Sequence, residues 1–158
     1  MKLWRLTRAP YVALDGAGPQ RHGARYFSPG LPVVNFASEP GLAVLVTLRY
    51  LPQVMAGDFA AADQDYLLGW TEVDAVPERL PDSSDPEAKR ALGDAWLASG
   101  RSLLAMVRSA VLPEADIIMM NTRHGDAMRV PPLVTRAFSF AECLHTPPML
   151  QRYGGEPG

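Results

Sequence analysis

The stretch DGAGPQRHGARYFSPGLPVVNFASEPGLAVL, residues 15–45, joins three different sequence patterns. Residues 15–30 are rich in glycine and proline, which predicts a functional loop whose backbone can come close to a ligand. Residues 31–36, LPVVNF, form a short β-branched run that is typical of a buried strand. A helix is predicted to follow, so the stretch supplies a loop, a strand and a helix in direct succession.

The helix predicted after that strand is apolar on nearly every side. Ser38 is its expected N-cap, and Glu39-Pro40 suits its first turn. We expect this helix to run to about Leu51. Its apolar side chains leave almost no polar face: Leu42, Val44, Leu45, Val46, Leu48 and Leu51. This pattern predicts a helix that lies in the core of the protein.

A second helix is predicted over residues 86–100, PEAKRALGDAWLASG. Ser84 and Glu87 fit a capping box at its N-terminal end, and Gly100 fits its C-terminal end. Side chains at helical spacing predict its inward-facing stripe. They are Ala88, Leu92, Ala95, Trp96 and Ser99.

Short apolar runs predict further strands. The runs are LWRL (3–6), YLLGWTEVDAV (66–76), SLLAMV (102–107) and DIIMMN (116–121). Residues 53–65 predict a loop or a short helix, and residues 76–87, VPERLPDSSDPE, predict a polar surface connection. The tail after Pro147 is short and polar, and we expect it to fray. About six short strands and two main helices indicate a mixed α+β fold, in a single domain over residues 1–158.

The composition limits the classes of function. Lys+Arg 15 against Asp+Glu 17 gives a formal net charge of −2, which argues against direct binding of nucleic acid. The N-terminus lacks the apolar run of a signal peptide, and no stretch approaches the ~18 apolar residues of a membrane span. We therefore expect a cytoplasmic protein with no membrane partner.

Cysteine, histidine and the loop carboxylates predict no site. Cys143 is the single cysteine, which excludes an intramolecular disulfide and a cysteine-based metal site, and we expect it to be buried and structural. The three histidines are too scattered to predict a metal site. They are His22, His124 and His145. Three acidic residues of one loop are expected to be solvated surface charges: Asp58, Asp63 and Asp65.

The glycine loop of residues 15–30 carries the polar constellation that the residues alone single out. Arg21 and Arg25 lie among its glycines. Guanidinium groups bind phosphate oxygens in bidentate pairs, and glycines admit a ligand to the backbone. A phosphate-bearing ligand is one interpretation, and a surface loop with solvated arginines is the other. No GxGxxG after a strand, no GxxxxGK[ST] and no GxSxG identifies another site.

Three blocks of the chain, in order, resemble the RES domain family. Residues 15–45 resemble its central block, a glycine loop with a Gly-Gly-Arg-Trp element, a Pro-Val-Val-Tyr strand and an apolar helix. Residues 91–126, ALGDAWLASGRSLLAMVRSAVLPEADIIMMNTRHGD, resemble its second block, a Gly-Asp-x-Trp helix, an aliphatic strand, a Pro-Ser turn and an Asn-Pro-x-His segment. Residues 138–144, FSFAECL, match the apolar positions of its closing Phe-x-Phe-Asp-x-Arg-Leu.

The resemblance implies a fold like that of the ADP-ribosyltransferase toxins, with NAD+ as substrate and no metal. It implies a toxin that cleaves the nicotinamide–ribose bond. Transfer of ADP-ribose to a protein is the expected reaction, ahead of hydrolysis or phosphorolysis of NAD+. The implied partner is a helix-turn-helix, Xre-like antitoxin whose C-terminal segment plugs the pocket. A catalytically inactive domain that survives as a binding module is the alternative.

The site residues of the family carry over one position at a time. Arg5 matches the arginine of the opening strand and Arg25 that of Gly-Gly-Arg-Trp, so both are expected to hold the diphosphate and the nicotinamide-side ribose. Tyr26 takes the position of the tryptophan after that arginine. Ser109 matches the serine of the Pro-Ser turn, which lies close to the ligand.

Four positions depart from the family pattern: Tyr26 replaces its tryptophan, Phe27 replaces the asparagine that follows, and the other two bear directly on catalysis. Counting from Arg25, the strand tyrosine falls on Asn35 and the helix glutamate falls on Val46. A glutamate on the ribose 2′-hydroxyl helps to stabilise an oxocarbenium-like transition state, which valine cannot do. Either another carboxylate substitutes from a neighbouring loop, or catalysis depends on the arginines and Asn35, or activity is lost.

These assignments give a defined set of expectations. The expected catalytic residues are Arg25, Asn35 and Ser109. The expected NAD+-binding residues are Arg5, Arg25, Tyr26, Ser109 and His124. For His124 and for Asn121, which match the Asn-Pro-x-His segment, structural capping is the equal alternative. Four residues from separate elements are expected to line one cleft: Arg5, Arg25, Asn35 and Ser109.

Overall fold

A computed structural model describes residues 1–145 as a seven-stranded sheet with helices packed on it. The strands are β1 (Lys2–Arg8), β2 (Val33–Ala37), β3 (Tyr66–Glu72), β4 (Glu78–Arg79), β5 (Leu104–Arg108), β6 (Asp116–Asn121) and β7 (Val134–Ala137). The α-helices are α1 (Ala17–His22), α2 (Pro40–Leu48), α3 (Pro52–Met55), α4 (Phe59–Ala62), α5 (Pro86–Ser99) and α6 (Phe140–Leu144), with 3-10 turns at Ala9–Tyr11 and Ala127–Arg129. The predicted α+β class is confirmed.

The strands lie in the order β4-β5-β6-β2-β1-β3-β7. Neighbouring strands are antiparallel except for β4 and β5, which are parallel. β2 is the central strand, and its whole length pairs with β6, so that Asn35 lies opposite Met119. Because β2 is held on both sides, its side chains have fixed positions relative to the rest of the sheet.

Alternation of side chains along the strands divides the core into two layers. One layer, on what we call the helix face, joins the sheet to α2 and α5: Val33, Ala37, Leu42, Trp96, Ile117 and Met119. The other layer, on the loop face, is covered by connecting segments: Leu3, Leu14, Val34, Phe36, Ile118, Met120 and Leu133. Both long helices therefore pack against the same side of the sheet.

α2 differs from its prediction in its ends and in its burial. Its N-cap is Glu39, while Ser38 Oγ accepts a hydrogen bond from the Asp116 N–H at 3.0 Å and ties the start of the helix to β6. The helix ends at Leu48, and Leu45 is 40% exposed. The prediction of a core helix is therefore wrong, because an apolar sequence does not by itself show which faces are covered.

α5 matches its predicted span, but its N-cap is one residue later than predicted. The Asp85 carboxylate, not Ser84, accepts hydrogen bonds from the N–H groups of Glu87 and Ala88. Gly100 closes the helix in the left-handed conformation, with φ 57°, as its position predicts. The buried residues of the helix are Gly93, Trp96 and Leu97. The predicted stripe is wrong at Ala95 and Ser99, which are exposed.

The C-terminal part of the described chain also differs from expectation. Cys143 is exposed, not buried. Asp63 is not simply solvated, because its carboxylate accepts hydrogen bonds from Ser139 Oγ at 2.6 Å and from the Phe140 N–H at 2.5 Å. These bonds hold the start of α6 against the loop before β3. The expected frayed tail after Pro147 lies outside the described residues.

Within residues 1–145, no helix has the length and apolar character needed to cross a membrane.

Candidate functional site

A cleft of about 500 Å3 opens on the helix face of the sheet. Its walls come from the end of the glycine loop, the C-terminal part of α2 and the turn after β5. Four expected site residues line it together: Arg25, Tyr26, Asn35 and Ser109. Its volume lies within the roughly 300–1,000 Å3 that is usual for small-molecule sites.

The end of the glycine loop is held in place by α5. The Asp94 carboxylate accepts hydrogen bonds from the Ser28 N–H at 2.8 Å and from Ser28 Oγ at 2.6 Å. Gly93 lies against the loop backbone, where a Cβ would overlap the Tyr26 carbonyl oxygen. The Gly-Asp pair of α5 therefore lets the loop approach closely and then anchors it, which fixes Arg25 at the edge of the cleft.

Asn35 and Val46 come to the cleft from different elements. Asn35 lies in the central strand, and its Oδ1 is buried with no hydrogen-bond partner among the described residues. A buried acceptor without a partner costs about 1–3 kcal/mol, so this atom suits a hydrogen-bond donor on a ligand. Val46 of α2 is half-buried and adds only an apolar surface.

Tyr26 lies between the cleft and α5 and is 7% exposed. Burial raises the pKa of its phenol above the usual value, and the smaller effect of Arg25 acts in the opposite direction. The Lys89 ammonium lies 5.8 Å from the centre of its ring. Because an unperturbed tyrosine has a pKa of about 10, this phenol remains protonated, and a hydrogen-bond donor, at neutral pH.

Ser109 shapes the turn after β5. Its Oγ accepts hydrogen bonds from the N–H groups of Val111 and Leu112 at 3.1 and 3.3 Å. The hydroxyl donates no hydrogen bond to any described residue, so it retains a donor for a ligand. One side chain thus has a structural role in the cleft wall and an unused hydrogen-bonding group.

Arg5 lies outside the cleft. It alternates with Leu6, which points to the helix face, so Arg5 lies on the loop face with Leu3. There it lines a separate pocket of about 190 Å3. Burial lowers the pKa of its guanidinium, Asp15 acts in the opposite direction, and Nη1 has no hydrogen-bond partner within residues 1–145. The expectation that Arg5 shares one cleft with Arg25 is not met.

His124 also lies apart from the cleft, in a pocket of about 670 Å3 at the loop face. Its Nδ1 accepts a hydrogen bond from the Asp126 N–H at 3.2 Å. Asn121 is buried; its amide nitrogen donates to the Leu97 carbonyl at 3.3 Å and its Oδ1 accepts from the Arg123 N–H at 3.0 Å. Of the two roles considered for this segment, these bonds are those of structural capping.

Arg49 and Tyr50 line the cleft although nothing in the sequence singled them out. They follow directly after the last residue of α2. Their signal is weak but present: an arginine and a tyrosine interrupt an otherwise apolar run, next to the part of the helix that approaches the glycine loop.

The cleft is cationic. Arg25 and Arg49 are exposed and form no ion pair with any described residue. The lining residues include no Asp or Glu, so a carboxylate that replaces the family glutamate has no candidate among them. Two guanidinium groups in a lining that includes no acid favour an anionic ligand such as a diphosphate. Among residues 1–145, no group of three or more His, Cys, Asp or Glu is placed to hold a metal ion.

Comparison with known proteins bears on the family and on the fold. The model of the RES domain family matches residues 2–141. The chain is 34% identical over 133 residues to "Toxin Res" of Pseudomonas putida, covering 80% of this chain and 88% of that protein. It is 27% identical over 154 residues to the "Prs ADP-ribosylating toxin" of a Sphingobium species, covering 88% of each.

A solved structure has the same fold. A chain in the crystal structure of the M. tuberculosis MbcT-MbcA toxin-antitoxin complex matches with a TM-score of 0.70 and 16% identity. The match covers 87% of this chain and 84% of that one. It shows that the two chains share a fold, in agreement with the predicted α+β class.

Proposed function

The chain belongs to the RES domain family, and from this premise we propose that it is the toxin of a toxin–antitoxin pair that binds NAD+ and cleaves its nicotinamide–ribose bond. The observation that carries the proposal is the cationic cleft that contains Arg25, Tyr26, Asn35 and Ser109. Arg25, Tyr26 and Asn35 come from a loop and a strand in direct succession, and Ser109 comes from a turn that is distant in the sequence. Arg5 and His124, in separate pockets, have no part in the proposed contacts.

Each cleft residue has a role suited to its chemistry. Arg25 would bind the diphosphate through charge-assisted hydrogen bonds. The buried Oδ1 of Asn35 would accept a hydrogen bond from a ribose hydroxyl or from the carboxamide of nicotinamide, which removes the cost of leaving it unpaired. Ser109 and Tyr26 would donate hydrogen bonds from the two side walls.

The reaction breaks the bond between the ribose C1′ and the nicotinamide nitrogen. The electron pair of that bond leaves with nicotinamide, and C1′ acquires oxocarbenium character. An acceptor then forms a bond to C1′ and loses its proton. The protein contributes by orienting the substrate, through Arg25 on the diphosphate and Ser109 in the wall of the cleft, and by electrostatic stabilisation, through the partial negative charge of the Asn35 Oδ1; these three are the proposed catalytic groups.

Transfer of ADP-ribose to a protein is the acceptor reaction that we favour. Hydrolysis needs an activated water molecule, and the lining residues include no carboxylate to act as its general base. The Sphingobium relative, named as an ADP-ribosylating toxin, supports the same choice. Hydrolysis or phosphorolysis of NAD+ is the second candidate.

A catalytically inactive binding module is the candidate from a different class. Asn35 and Val46 are the observations that favour it, because both replace residues of the family pattern inside the cleft itself. Such a protein would bind NAD+ without releasing nicotinamide.

The proposed partner is an Xre-like antitoxin, in the cytoplasm of the cell that makes both proteins. The solved neighbour, found in a toxin-antitoxin complex, supports a partner of this kind. A C-terminal segment of the antitoxin is proposed to fill the cleft, where its terminal carboxylate would meet Arg25 and Arg49.

One incubation separates the three candidates. The purified chain is mixed with cell lysate and NAD+ labelled in its adenylate part, and free nicotinamide and labelled protein are measured. Transfer gives both products, whereas hydrolysis or phosphorolysis gives nicotinamide without labelled protein. Binding of NAD+ without release of nicotinamide identifies the inactive module, and absence of binding refutes the proposal.

An arginine substitution connects the cleft with toxicity. Expression without antitoxin is expected to arrest growth, and Arg25→Ala is expected to relieve the arrest because it removes a charge-assisted contact of about 1.5–3 kcal/mol. Arg21→Ala is the matched control, since Arg21 lies in α1, just before the segment that carries Arg25, and is outside the cleft lining. Folding of both variants is checked by circular dichroism. Equal toxicity of Arg25→Ala and the parent would contradict the assignment.

A further inference from the structure

We infer that Arg49 and Tyr50 form the outer part of the NAD+ site, with Arg49 bound to one phosphate of the diphosphate and Tyr50 stacked on the adenine. The inference rests on the proposed function. It adds two ligand-binding residues that the sequence pattern did not indicate.

The charges of the NAD+ diphosphate require a second cation beside Arg25. The NAD+ diphosphate carries one negative charge on each phosphate, and bidentate binding occupies one guanidinium group per phosphate. Arg5 cannot supply the second cation, because it lies on the loop face of the sheet. Among the cleft-lining residues the second cation is Arg49, which is exposed and has no ion-pair partner within residues 1–145.

Backbone hydrogen bonds hold the turn that carries Arg49 and Tyr50. The Tyr50 N–H donates to the Thr47 carbonyl at 3.0 Å, and the Leu51 N–H donates to the Leu48 carbonyl at 3.1 Å. Leu51 is partly buried and packs against the helix-face core. The backbone of the turn is therefore fixed on both sides of the two cleft residues, so little order has to be gained when a ligand binds.

The ring of Tyr50 is exposed at the cleft. Tyr50 is 73% exposed, yet it lies at the cleft and close enough to Tyr26 to contribute to the raised pKa of that phenol. An aromatic ring that is open on a rigid turn is a stacking surface for a base, as in nucleic-acid sites.

The position of the bond to be cleaved decides which base of NAD+, adenine or nicotinamide, stacks on Tyr50. The bond to be cleaved has to lie near the buried part of the cleft, beside Asn35 and Ser109. Nicotinamide is attached directly to that bond, so it occupies the inner end. The adenine, on the far side of the diphosphate, then lies toward the exposed mouth where Tyr50 is found.

Binding of three ligands to the full chain tests the inference. NAD+, ADP-ribose and nicotinamide mononucleotide are titrated by calorimetry into the parent, Arg49→Ala, Arg49→Lys, Tyr50→Ala and Tyr50→Phe. Arg123→Ala and Tyr11→Ala are matched controls, because both residues are exposed and lie outside the cleft. Melting temperatures are recorded as well, since Arg49 at the C-terminal end of α2 also interacts favourably with the helix dipole.

Each substitution is expected to change the affinity for particular ligands. Arg49→Ala weakens NAD+ and ADP-ribose binding roughly tenfold or more, and Arg49→Lys recovers part of the loss. Tyr50→Ala weakens the same two ligands roughly tenfold and leaves nicotinamide mononucleotide unchanged, while Tyr50→Phe behaves like the parent.

Three other results would contradict the inference, the assignment of adenine or the proposed function. If the parent binds NAD+ and the Arg49 and Tyr50 variants bind it like the controls, the inference is wrong and the proposed function stands. If Tyr50→Ala weakens nicotinamide mononucleotide as much as ADP-ribose, the assignment of adenine to Tyr50 is wrong. If the parent binds no NAD+, the proposed function fails and the inference fails with it.

Discussion

Val46 stands at the position where the family pattern has its glutamate, and its side chain lines the same cleft as Asn35 and Arg25. The neighbouring Leu45 is exposed to solvent, so this part of α2 has one side on the cleft and another in water. Val46 also packs against the helix-face core, but its place in the cleft lining gives a longer side chain at position 46 a direction in which to extend. One substitution at position 46 can therefore restore the carboxylate that the family pattern has there.

Val46→Glu is expected to fold and to hydrolyse NAD+ about 10²-fold faster than the parent. The new carboxylate would stabilise the oxocarbenium-like transition state, and about 2.7 kcal/mol of stabilisation corresponds to that factor. Nicotinamide release and melting temperature are measured on the same preparation. Leu45→Glu is the matched control, because it adds the same charge to the solvent side of the same helix.

Two results would contradict this account of position 46. A stable Val46→Glu protein with unchanged hydrolysis and unchanged transfer would show that the position takes no part in the chemistry. A large fall in melting temperature, absent from Leu45→Glu, would show that the side chain faces the core, where an unpaired charge costs several kcal/mol.

Counting along the chain from Arg25 was sufficient to bring Asn35, Val46 and Tyr26 to the cleft, because a loop, a central strand and a helix in direct succession leave little freedom in register. The same reasoning failed for Arg5. A one-residue change of register moves a strand side chain to the opposite face. LWRL is apolar on both sides of Arg5, so no alternation of polar and apolar residues indicates which face the arginine takes.

At the scale of elements, α5 holds the glycine loop in place by close packing against its backbone as well as by hydrogen bonds from it to a charged side chain. Gly93 permits contact with the Tyr26 carbonyl, and Asp94 then binds Ser28 through two hydrogen bonds. Trp96 completes the attachment, because its indole N–H donates to Ser102 Oγ at 2.8 Å in the connection between α5 and β5. The Gly-Asp-x-Trp sequence is thus a device for holding the ligand-binding loop.

Gly93→Ala is expected to destabilise the protein by about 3 kcal/mol, since its methyl group would overlap backbone that has no free space. NAD+ binding is expected to weaken further than stability alone requires, because the loop must move away from the cleft. Gly41→Ala is the control, as Gly41 is also helical and has nothing within 4 Å of an added Cβ. It should be neutral or stabilising by up to ~1 kcal/mol in urea unfolding. Equal effects of the two substitutions would refute the role of Gly93.

Asp63 fixes a different element, the start of α6. Burial raises the pKa of its carboxyl, but hydrogen bonds from Ser139, Phe140 and Ala141 lower the pKa by more, so the net shift is downward. A lowered folded-state pKa contributes stability above the unfolded value of about 3.9, and this stability is lost as the pH falls through the folded-state pKa.

Asp63→Asn is expected to lower the free energy of unfolding by about 1–3 kcal/mol at pH 7. The difference from the parent should shrink as the pH falls from about 4 through the lowered folded-state pKa, where the folded parent carboxylate also becomes protonated. Urea unfolding at a series of pH values measures both effects. Asp65→Asn serves as control, because asparagine tolerates the left-handed φ of 53° at that position. A difference between Asp63→Asn and the parent that does not change with pH would contradict the proposed cause.

The sequence did not predict α1, which lies inside the expected loop of residues 15–30, or α6, and it missed two strands that are stabilised only by neighbours. β4 is two residues long and pairs with β5, and all four residues of β7 are exposed, so neither presents an apolar run. α2 was predicted as a core helix, because its composition resembles that of buried segments while one of its sides lines a cleft. Periodicity reports how apolar a face is, but it does not report whether protein or ligand covers that face.

At the scale of the whole molecule, the cleft is assembled from parts of the sheet and of both long helices that are distant in sequence. β2 and β6 give it a base, α2 gives it one wall, and α5 holds the loop that gives it another. The helix-face core runs continuously beneath these elements. A ligand in the cleft is therefore coupled to the stability of the entire helix face.

Saturating NAD+ is expected to raise the melting temperature of the full chain in a single cooperative transition. A ligand that binds only the folded state at 100 times its Kd stabilises it by about 2.7 kcal/mol, and a domain of this size gains roughly 2–4 °C per kcal/mol, so a rise of about 5–11 °C is expected. Calorimetry with and without NAD+ measures it, and Arg25→Ala, scanned at the same NAD+ concentration, should show a much smaller rise. Two separate transitions, with only one of them moved by NAD+, would contradict both the single-domain prediction and the coupling of the cleft to the whole helix face.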